Sequence, residues 1–459
     1  MSQIRRIMLV LFMCGVFPVL AQETMVLDLS QSVSVALENN PEIRMAEKEA
    51  AKAKAGIWEA WGMLMPSVDA SASFQHAWDL QVNTIPNFIK EMVGPTFPGY
   101  DEMPDFVRFA FGLENTLRYG AMLTQPIFLG GAGIAGIQIA GAAHRASQHT
   151  LEAKRQTLIF RTADAFYACL LMRELVRVQE EALAQAQANL DVVHKRYDVG
   201  TASGFDKMRA EVEVANLKPE LIAVRNNLQS ALTGLRTVLG LPKETRIDVS
   251  GTLSFTPDEM GEMPLNDVLD QAYQNRPELF AMSAQKRMAS GGVAVARSQF
   301  LPKVYFQTDY SYMGMRNDLK FARDDMFKGF TSSLSLSIPL FQGFRRIQQV
   351  QKARLDYKLT LDIEKQLSDG IAAEVEIAHN TFREAKEKYL SAEESIQLAE
   401  EALRLATLMY EEGASTQLDV LSSQLALNRA RLNHASALYE YQKARYGLRR
   451  VTGLLKGVL

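Results

Sequence analysis

The chain has 459 residues, with 50 lysines and arginines against 53 aspartates and glutamates, and its formal charge of −3 argues against a nucleic-acid partner. Hydrophobic residues at 47% and charged residues at 22% exclude a disordered chain, and a mean hydropathy of −0.09 excludes a protein of many membrane helices. Of the two cysteines, Cys14 falls in the leader, so Cys169 alone cannot form an intrachain disulfide or a cysteine metal site.

Residues 1–21 read as a secretory signal peptide. Arg5 and Arg6 precede an apolar run from Ile7 to Leu20, and Val19-Leu20-Ala21 before Gln22 places cleavage after Ala21. A lipoprotein signal at Cys14 would need small residues where Phe12 and Met13 stand. Beyond Ala21 no stretch approaches the roughly 20 apolar residues of a membrane helix, so membrane insertion of the exported chain must use β-strands.

The exported chain reads as two copies of one unit, residues 22–250 and 251–459. Asn39-Asn40-Pro41-Glu42 returns as Asn275-Arg276-Pro277-Glu278, and Met65-Pro66 as Leu301-Pro302. Gln125-Pro126-Ile127-Phe128 returns as Ile338-Pro339-Leu340-Phe341. Tyr197, Gly200 and Asp206 return as Tyr410, Gly413 and Asp419, and Val238-Leu239-Gly240-Leu241 as Val451-Thr452-Gly453-Leu454. The first copy carries an insertion within residues 79–113, a predicted loop marked by Pro86, Gly94, Pro95, Pro98, Gly99 and Pro104.

Each copy opens with a helix after the Asn-Pro or Arg-Pro turn, over Glu42–Met63 and Glu278–Phe300, ended by a proline. The period then changes to two. Phe330, Ser332, Leu334, Leu336, Ile338 and Leu340 alternate with Thr331, Ser333, Ser335, Ser337 and Pro339, and Val304 to Tyr312 alternates likewise. Strands are predicted at about 66–76 and 116–128 in the first copy and at about 302–312 and 330–341 in the second. Their length suits tilted membrane strands, with Tyr310, Tyr312 and Phe330 placed for an interfacial girdle. The rest of each copy is a hairpin of long helices, at about 131–239 and 343–451. No proline interrupts Ala132–Val199 or Phe344–Glu412, and apolar residues recur at mixed three- and four-residue steps as in packed coiled coils. Lys218-Pro219 interrupts the first returning helix and should bend it.

Four strands cannot close a barrel, and open strand edges are not tolerated in lipid, so several chains must share one. Three chains would supply twelve strands and six hairpins, though the pattern alone requires only more than one.

The duplicated Pro-led strand, the Pro-x-Phe-x-Gly strand exit and the Tyr-x-x-Gly-x-x-(Ser/Thr)-x-x-Asp turn, from about Leu29 to Leu455, resemble the TolC-like outer-membrane efflux proteins. The resemblance implies a homotrimer, mainly α with membrane β, in which a twelve-stranded outer-membrane barrel continues into a periplasmic α-helical tunnel. It implies docking to a periplasmic adaptor and, through it, to an inner-membrane pump. The expected function is the exit duct of a tripartite export system for small molecules or a secreted polypeptide, without enzymatic activity or cofactor. Gly200, Thr201 and Ala202, and Gly413, Ala414 and Ser415, look like the tip turns that meet the adaptor. Tyr410 resembles the tyrosine that narrows the periplasmic aperture, Asp206 its acidic partner, and Asp419 a candidate for a carboxylate ring; Tyr197 is the matching position in the first copy. Ser415 and Ser422 stand where the family has an arginine and a second acidic residue, so the gate expected here is the reduced one of Tyr410 packing and Asp206 hydrogen bonding.

Plainer readings stand beside these. Tyr197 and Tyr410 suit interhelical packing, and Asp206 and Asp419 suit the first turn of a returning helix, where the macrodipole favours a carboxylate. Gly131-x-Gly133-x-x-Gly136 has the form of a dinucleotide motif, but its counterparts Phe344, Arg346 and Gln349 and the lack of a parallel-sheet pattern favour close packing. Six scattered histidines show no metal spacing. The alternative function is a periplasmic coiled-coil adaptor or scaffold, which should carry compact β-domains around a single hairpin.

Overall fold

The computed structural model describes residues 24–110 and 112–455; the expected signal peptide, with cleavage after Ala21, lies outside the described residues. The first copy runs through β1 (Met25–Leu27), α1 (Leu29–Asn39), α2 (Pro41–Gly62), β2 (Ser67–His76), β3 (Val82–Pro86), α3 (Phe88–Val93), β4 (Phe106–Ala110), β5 (Asn115–Phe128), α4 (Ala132–Asp198), α5 (Gly204–Val238) and β6 (Ile247–Val249). The second runs through α6 (Leu265–Asn275), α7 (Pro277–Ser298), β7 (Lys303–Arg316), β8 (Met326–Ser337), α8 (Arg345–Glu411) and α9 (Gln417–Val451).

Two compact units each draw on both copies. One comprises residues through Lys48, His149–Leu279 and Gln366–Leu459; the other comprises Glu49–Gln148 and Phe280–Lys365.

The second unit holds a four-stranded antiparallel sheet in the order β2-β5-β7-β8. Its register gathers Val68, Ala70, Ala72 and Phe74 with Leu117, Tyr119, Ala121 and Leu123, then Phe306, Tyr310 and Tyr312, then Phe330, Leu334 and Leu336 on one face. Asp69, Ser71, Ser73, Arg118, Gln307, Asp309, Ser333 and Ser335 take the other, because successive side chains of a strand point to opposite faces. On the apolar face Tyr119 stacks on Tyr312 with centroids 5.5 Å apart, and Tyr310 meets Phe330 at 6.1 Å. The last predicted strand ends at Ser337, short of Pro339, which has no N–H to donate. Within 79–113 the structure forms an antiparallel hairpin, β3 with β4, and the short helix α3 rather than a plain loop. A Cβ on Gly133 would overlap Leu64, and neighbouring Gly130, at φ 63°, leaves no room beside the Ser298 carbonyl, but Gly131 and Gly136 meet nothing within 4 Å, so close packing accounts for only one glycine of the Gly131-x-Gly133-x-x-Gly136 run.

The first unit is built on a core that sequence periodicity had not indicated. Helix α1 opens on a capping box in which the Gln31 N–H donates to Asp28 Oδ1 at 2.7 Å and the Asp28 N–H donates to Gln31 Oε1 at 3.1 Å. Strand β1 pairs in parallel with β6, Met25 opposite Ile247 and Leu27 opposite Val249. Leu27, Ile43, Phe166, Leu235, Leu239 and Val249 close one cluster; Val268, Val375, Phe382, Tyr441 and Leu448 close its counterpart in the second copy. Cys169 is fully buried in the first, and burial pushes its thiol up to about 12, so it packs as a small apolar residue. Gly240 and Gly453, at φ 70° and 78°, back onto the carbonyls of Asn39 and Asn275, which explains why these two motifs recur together. Proline 219 does not end α5. The carbonyl deprived of its donor belongs to Ala215, which is exposed, so the missing bond leaves no polar group buried.

Candidate functional site at the hairpin tips

Both long hairpins turn in the same way. After α4, Gly200 adopts φ 78°, and the N–H groups of Thr201 and Ala202 both donate to the Arg196 carbonyl at 2.8 and 3.2 Å. After α8, Gly413 adopts φ 75°, and the N–H groups of Ala414 and Ser415 both donate to the Met409 carbonyl at 2.7 and 3.2 Å. A glycine in the left-handed region past the last turn is the usual way to close a helix end, because no Cβ opposes it. The turns therefore present Gly200, Thr201, Gly413 and Ala414 exposed and Ala202 and Ser415 half-buried, with their N–H groups already satisfied by the helix.

The two aspartates each start a returning helix. The Asp206 N–H donates to Ser203 Oγ at 3.1 Å, while the Ser203 hydroxyl and N–H donate to Asp206 Oδ2 at 2.6 and 3.2 Å. Thr416 donates to Asp419 Oδ2 through its hydroxyl at 2.7 Å and its N–H at 2.9 Å. Those bonds from Thr416, side chain first and then backbone, hold the Asp419 carboxyl below the ordinary carboxylate range.

The tyrosines engage cations. Arg196, in the last turn of α4, places its guanidinium carbon 4.4 Å from the centre of the Tyr410 ring, so the first hairpin touches the second. Tyr197 is exposed, with the Lys207 ammonium 5.0 Å from its ring centre. Tyr410 also packs beside Leu403, Val420 and Leu427. Within one chain the structure does not bring Asp206 to Tyr410: its Oδ2 is taken by Ser203 and the tyrosine ring by Arg196. Arg196 belongs to no recognisable motif, and only its distance from the turn glycine hints at a place beside the tip. Among the described residues no cluster of His, Cys, Asp and Glu is placed to hold a metal ion, and no helix is long and apolar enough to cross a membrane.

A family profile described as outer membrane efflux protein matches residues 32–241 and 268–454. The chain belongs to the outer membrane efflux protein family. As a TolC-like member it is an outer-membrane exit duct. It is similar to the cobalt-zinc-cadmium resistance protein CzcC of Cupriavidus metallidurans, at 25% identity over 352 residues, covering 74% of this chain and 78% of that one. It is similar to the outer membrane protein TolC of Vibrio cholerae, at 22% identity over 307 residues, covering 66% of this chain and 69% of that one. In fold it matches the Campylobacter jejuni CmeC outer membrane channel with a TM-score of 0.74 at 18% identity, over 93% of this chain and 86% of that one. Family membership removes the adaptor alternative.

Proposed function

We propose that this duct works as a homotrimer, with the β2-β5-β7-β8 sheets of three copies closing one outer-membrane barrel and the hairpins forming a periplasmic conduit. The observation that carries the reading is the two-faced sheet: one face aromatic and aliphatic, the other hydroxylated and charged, with strands of 10 to 14 residues whose outer members β2 and β8 each pair on one side only. Such a sheet matches lipid outside and water inside, and its edges need partners before it can enter a bilayer. The tip turns at Gly200, Thr201 and Ala202 and at Gly413, Ala414 and Ser415 are the docking points for a periplasmic adaptor, which brings an inner-membrane pump. With their N–H groups satisfied, they offer small surface and free carbonyls, so an adaptor would recognise them by close approach and by donating hydrogen bonds.

Tyr410, Tyr197, Asp206 and Asp419 form the narrow periplasmic end. Three Asp419 carboxylates around an axis would favour cations, and Arg196 supplies beside Tyr410 the cation that Ser415 does not. The cargo is set by the pump and adaptor, drug, metal or polypeptide alike. Planar-bilayer recording of the mature protein, with its mass measured in detergent, tests the reading: a trimer with a small cation-selective conductance is expected, and a monomer without channel activity would overturn it.

A further inference from the structure

The two copies leave the sheet by the same backbone path. Gly130 and Gly131, at φ 63° and 84°, carry the chain from β5 into α4, and Gly343 and Phe344, at φ 59° and 61°, carry it from β8 into α8. A bulky side chain in the left-handed region is strained, and Phe344 is the one non-glycine residue to adopt it among the described residues. The first copy shows that glycine serves this turn, so the ring of Phe344 is present despite the strain rather than because the turn needs it. The ring is exposed, edge to face with exposed Phe341 at 5.5 Å, and Leu340 before them is 89% exposed.

The same turn holds a buried cation in the second copy alone. Where Gly133 lies against Leu64, the matching Arg346 lies over Phe300, its guanidinium carbon 4.9 Å from the ring centre. Arg346 is only 6% exposed. Its Nη1 donates to the carbonyls of Gln299 at 3.2 Å and Pro339 at 2.8 Å, which leaves Nε and Nη2 without a protein acceptor, and among the described residues no carboxylate lies within ion-pair distance. A guanidinium cannot shed its charge, and a buried charge calls for an anion beside it. Arg346 lines a cavity of about 110 Å³, open to solvent, with Phe300, Leu340, Phe341, Gln342 and Phe344; it has room for a phosphate group. The surroundings add positive potential: α8 starts here with no acidic residue in its first turn, and exposed Arg345 donates to Gln342 Oε1 at 3.1 Å.

Resting on the exit-duct reading, we propose that this foot of the sheet binds one phospholipid of the periplasm-facing leaflet, its phosphate on Arg346 and its acyl chains beside Leu340, Phe341 and Phe344. The pairing of a buried cation that lacks an anion with exposed rings selects the occupant. An inorganic anion would satisfy the arginine and leave the rings in water, whereas a phospholipid meets both needs. The depth agrees. Leu334 and Leu336 lie on the apolar face of β8, and exposed Ile338 and Leu340 continue their spacing past the strand end, toward α8. With two arginines and a helix start around the cavity and no carboxylate to receive an ammonium group, an anionic headgroup fits better than a zwitterionic one.

The test counts lipid retained by the mature protein in non-ionic detergent, by native mass spectrometry after adding phosphatidylglycerol or phosphatidylcholine, with bilayer conductance recorded on the same preparation. Wild type should hold one phosphatidylglycerol per chain and prefer it to phosphatidylcholine about tenfold, the order of one charge-assisted hydrogen bond. Arg346→Gln should remove the preference. Phe344→Gly should weaken retention of both lipids without lowering thermal stability, because it relieves the strained turn. Where Arg346→Gln fails to fold, the wild-type preference and Phe344→Gly still decide. A conducting wild type with no preference, or a Phe344→Gly that keeps its lipid and melts earlier, overturns the site and leaves the duct reading standing. So does inorganic phosphate that displaces the lipid at equal concentration, which would make this a free-anion site, or an Arg346→Gln that keeps its lipid and falls apart into monomers, which would give the arginine to a neighbouring copy. A wild type without channel activity overturns the duct reading and the lipid site with it.

Discussion

Arg196 lies over the ring of Tyr410 at 4.4 Å, and this one contact ties the last turn of α4 to the last turn of α8. The ring face makes the contact, not the hydroxyl, and such a pair contributes about 0.5–1 kcal/mol at an exposed site. Tyr410→Phe should therefore leave the closed conductance close to wild type, while Tyr410→Leu and Arg196→Ala should each raise it by a similar factor. Bilayer conductance of the three variants checks this; a rise in Tyr410→Phe equal to that in Tyr410→Leu would assign the effect to the hydroxyl.

The Asp419 carboxyl sits below its ordinary range because Thr416 donates to it twice, so it stays ionised as pH falls past the usual carboxylate value of about 4. Cation selectivity that depends on Asp419 should be flat from neutral pH down to about 5 and fade only in stronger acid. Thr416→Val removes one of the two bonds and should move the fade to higher pH, and Asp419→Asn should abolish it. Reversal potentials across a salt gradient at stepped pH read all three.

Asp258 is a structural anchor with a pH signature. Its side chain is 3% exposed, and its Oδ2 accepts from Arg445 at 3.1 Å and from Arg449 at 2.6 Å, tying the segment between the copies to α9. Burial pushes the carboxyl up, but the bonds from Arg449, the Met260 N–H and Arg445 outweigh it and leave it lowered. A lowered folded-state value means its stabilisation is complete above the unfolded value of about 4 and is lost as pH falls through the folded one. Asp258→Ala should cost about 3 kcal/mol at neutral pH, because two guanidinium groups lose a buried partner, and the deficit should shrink in acid. Denaturant unfolding at neutral pH and below pH 4 measures both.

Gly240→Ala and Gly453→Ala should each destabilise by about 2 kcal/mol, since both positions combine positive φ with a carbonyl 2.7 or 2.6 Å from where the Cβ would stand. Gly200→Ala and Gly413→Ala meet nothing within 4 Å and should cost only the strain of their φ, about 1 kcal/mol. Thermal unfolding separates the two pairs. A loss of adaptor binding in the tip variants without a matching loss of trimer would mark the tips as docking points.

Period and punctuation made much of this fold legible. Phe330 to Leu336 alternates because one face of β8 is apolar and the other bears hydroxyls, and the proline-free runs of α4 and α8 extend because nothing in them stops a helix. The short pieces were hidden for a physical reason. Three residues such as Met25–Leu27 carry no period, and they are a strand only because Ile247–Val249 lies alongside. Helix α1 did have a local sign, the Asp28 and Gln31 capping box, which could have been read. At the site, the duplicated glycines and aspartates stood out as a repeat. Arg196 did not, since what makes it matter is a partner more than two hundred residues away that only tertiary register supplies.

That Met25 faces Ile247, and that Val33 and Ile159 pack with Tyr446 and Leu455, sets a schedule for the newborn chain. Strand β1 has nothing to pair with until Ile247–Val249, more than two hundred residues later, is available. The unit that contains it stays unfinished until Tyr446 and Leu455 are in place. Contacts of such long range form late and leave apolar surface waiting in the meantime. A chain without Val451 and Leu455, both almost wholly buried, would leave these clusters open and present apolar surface to chaperones and proteases.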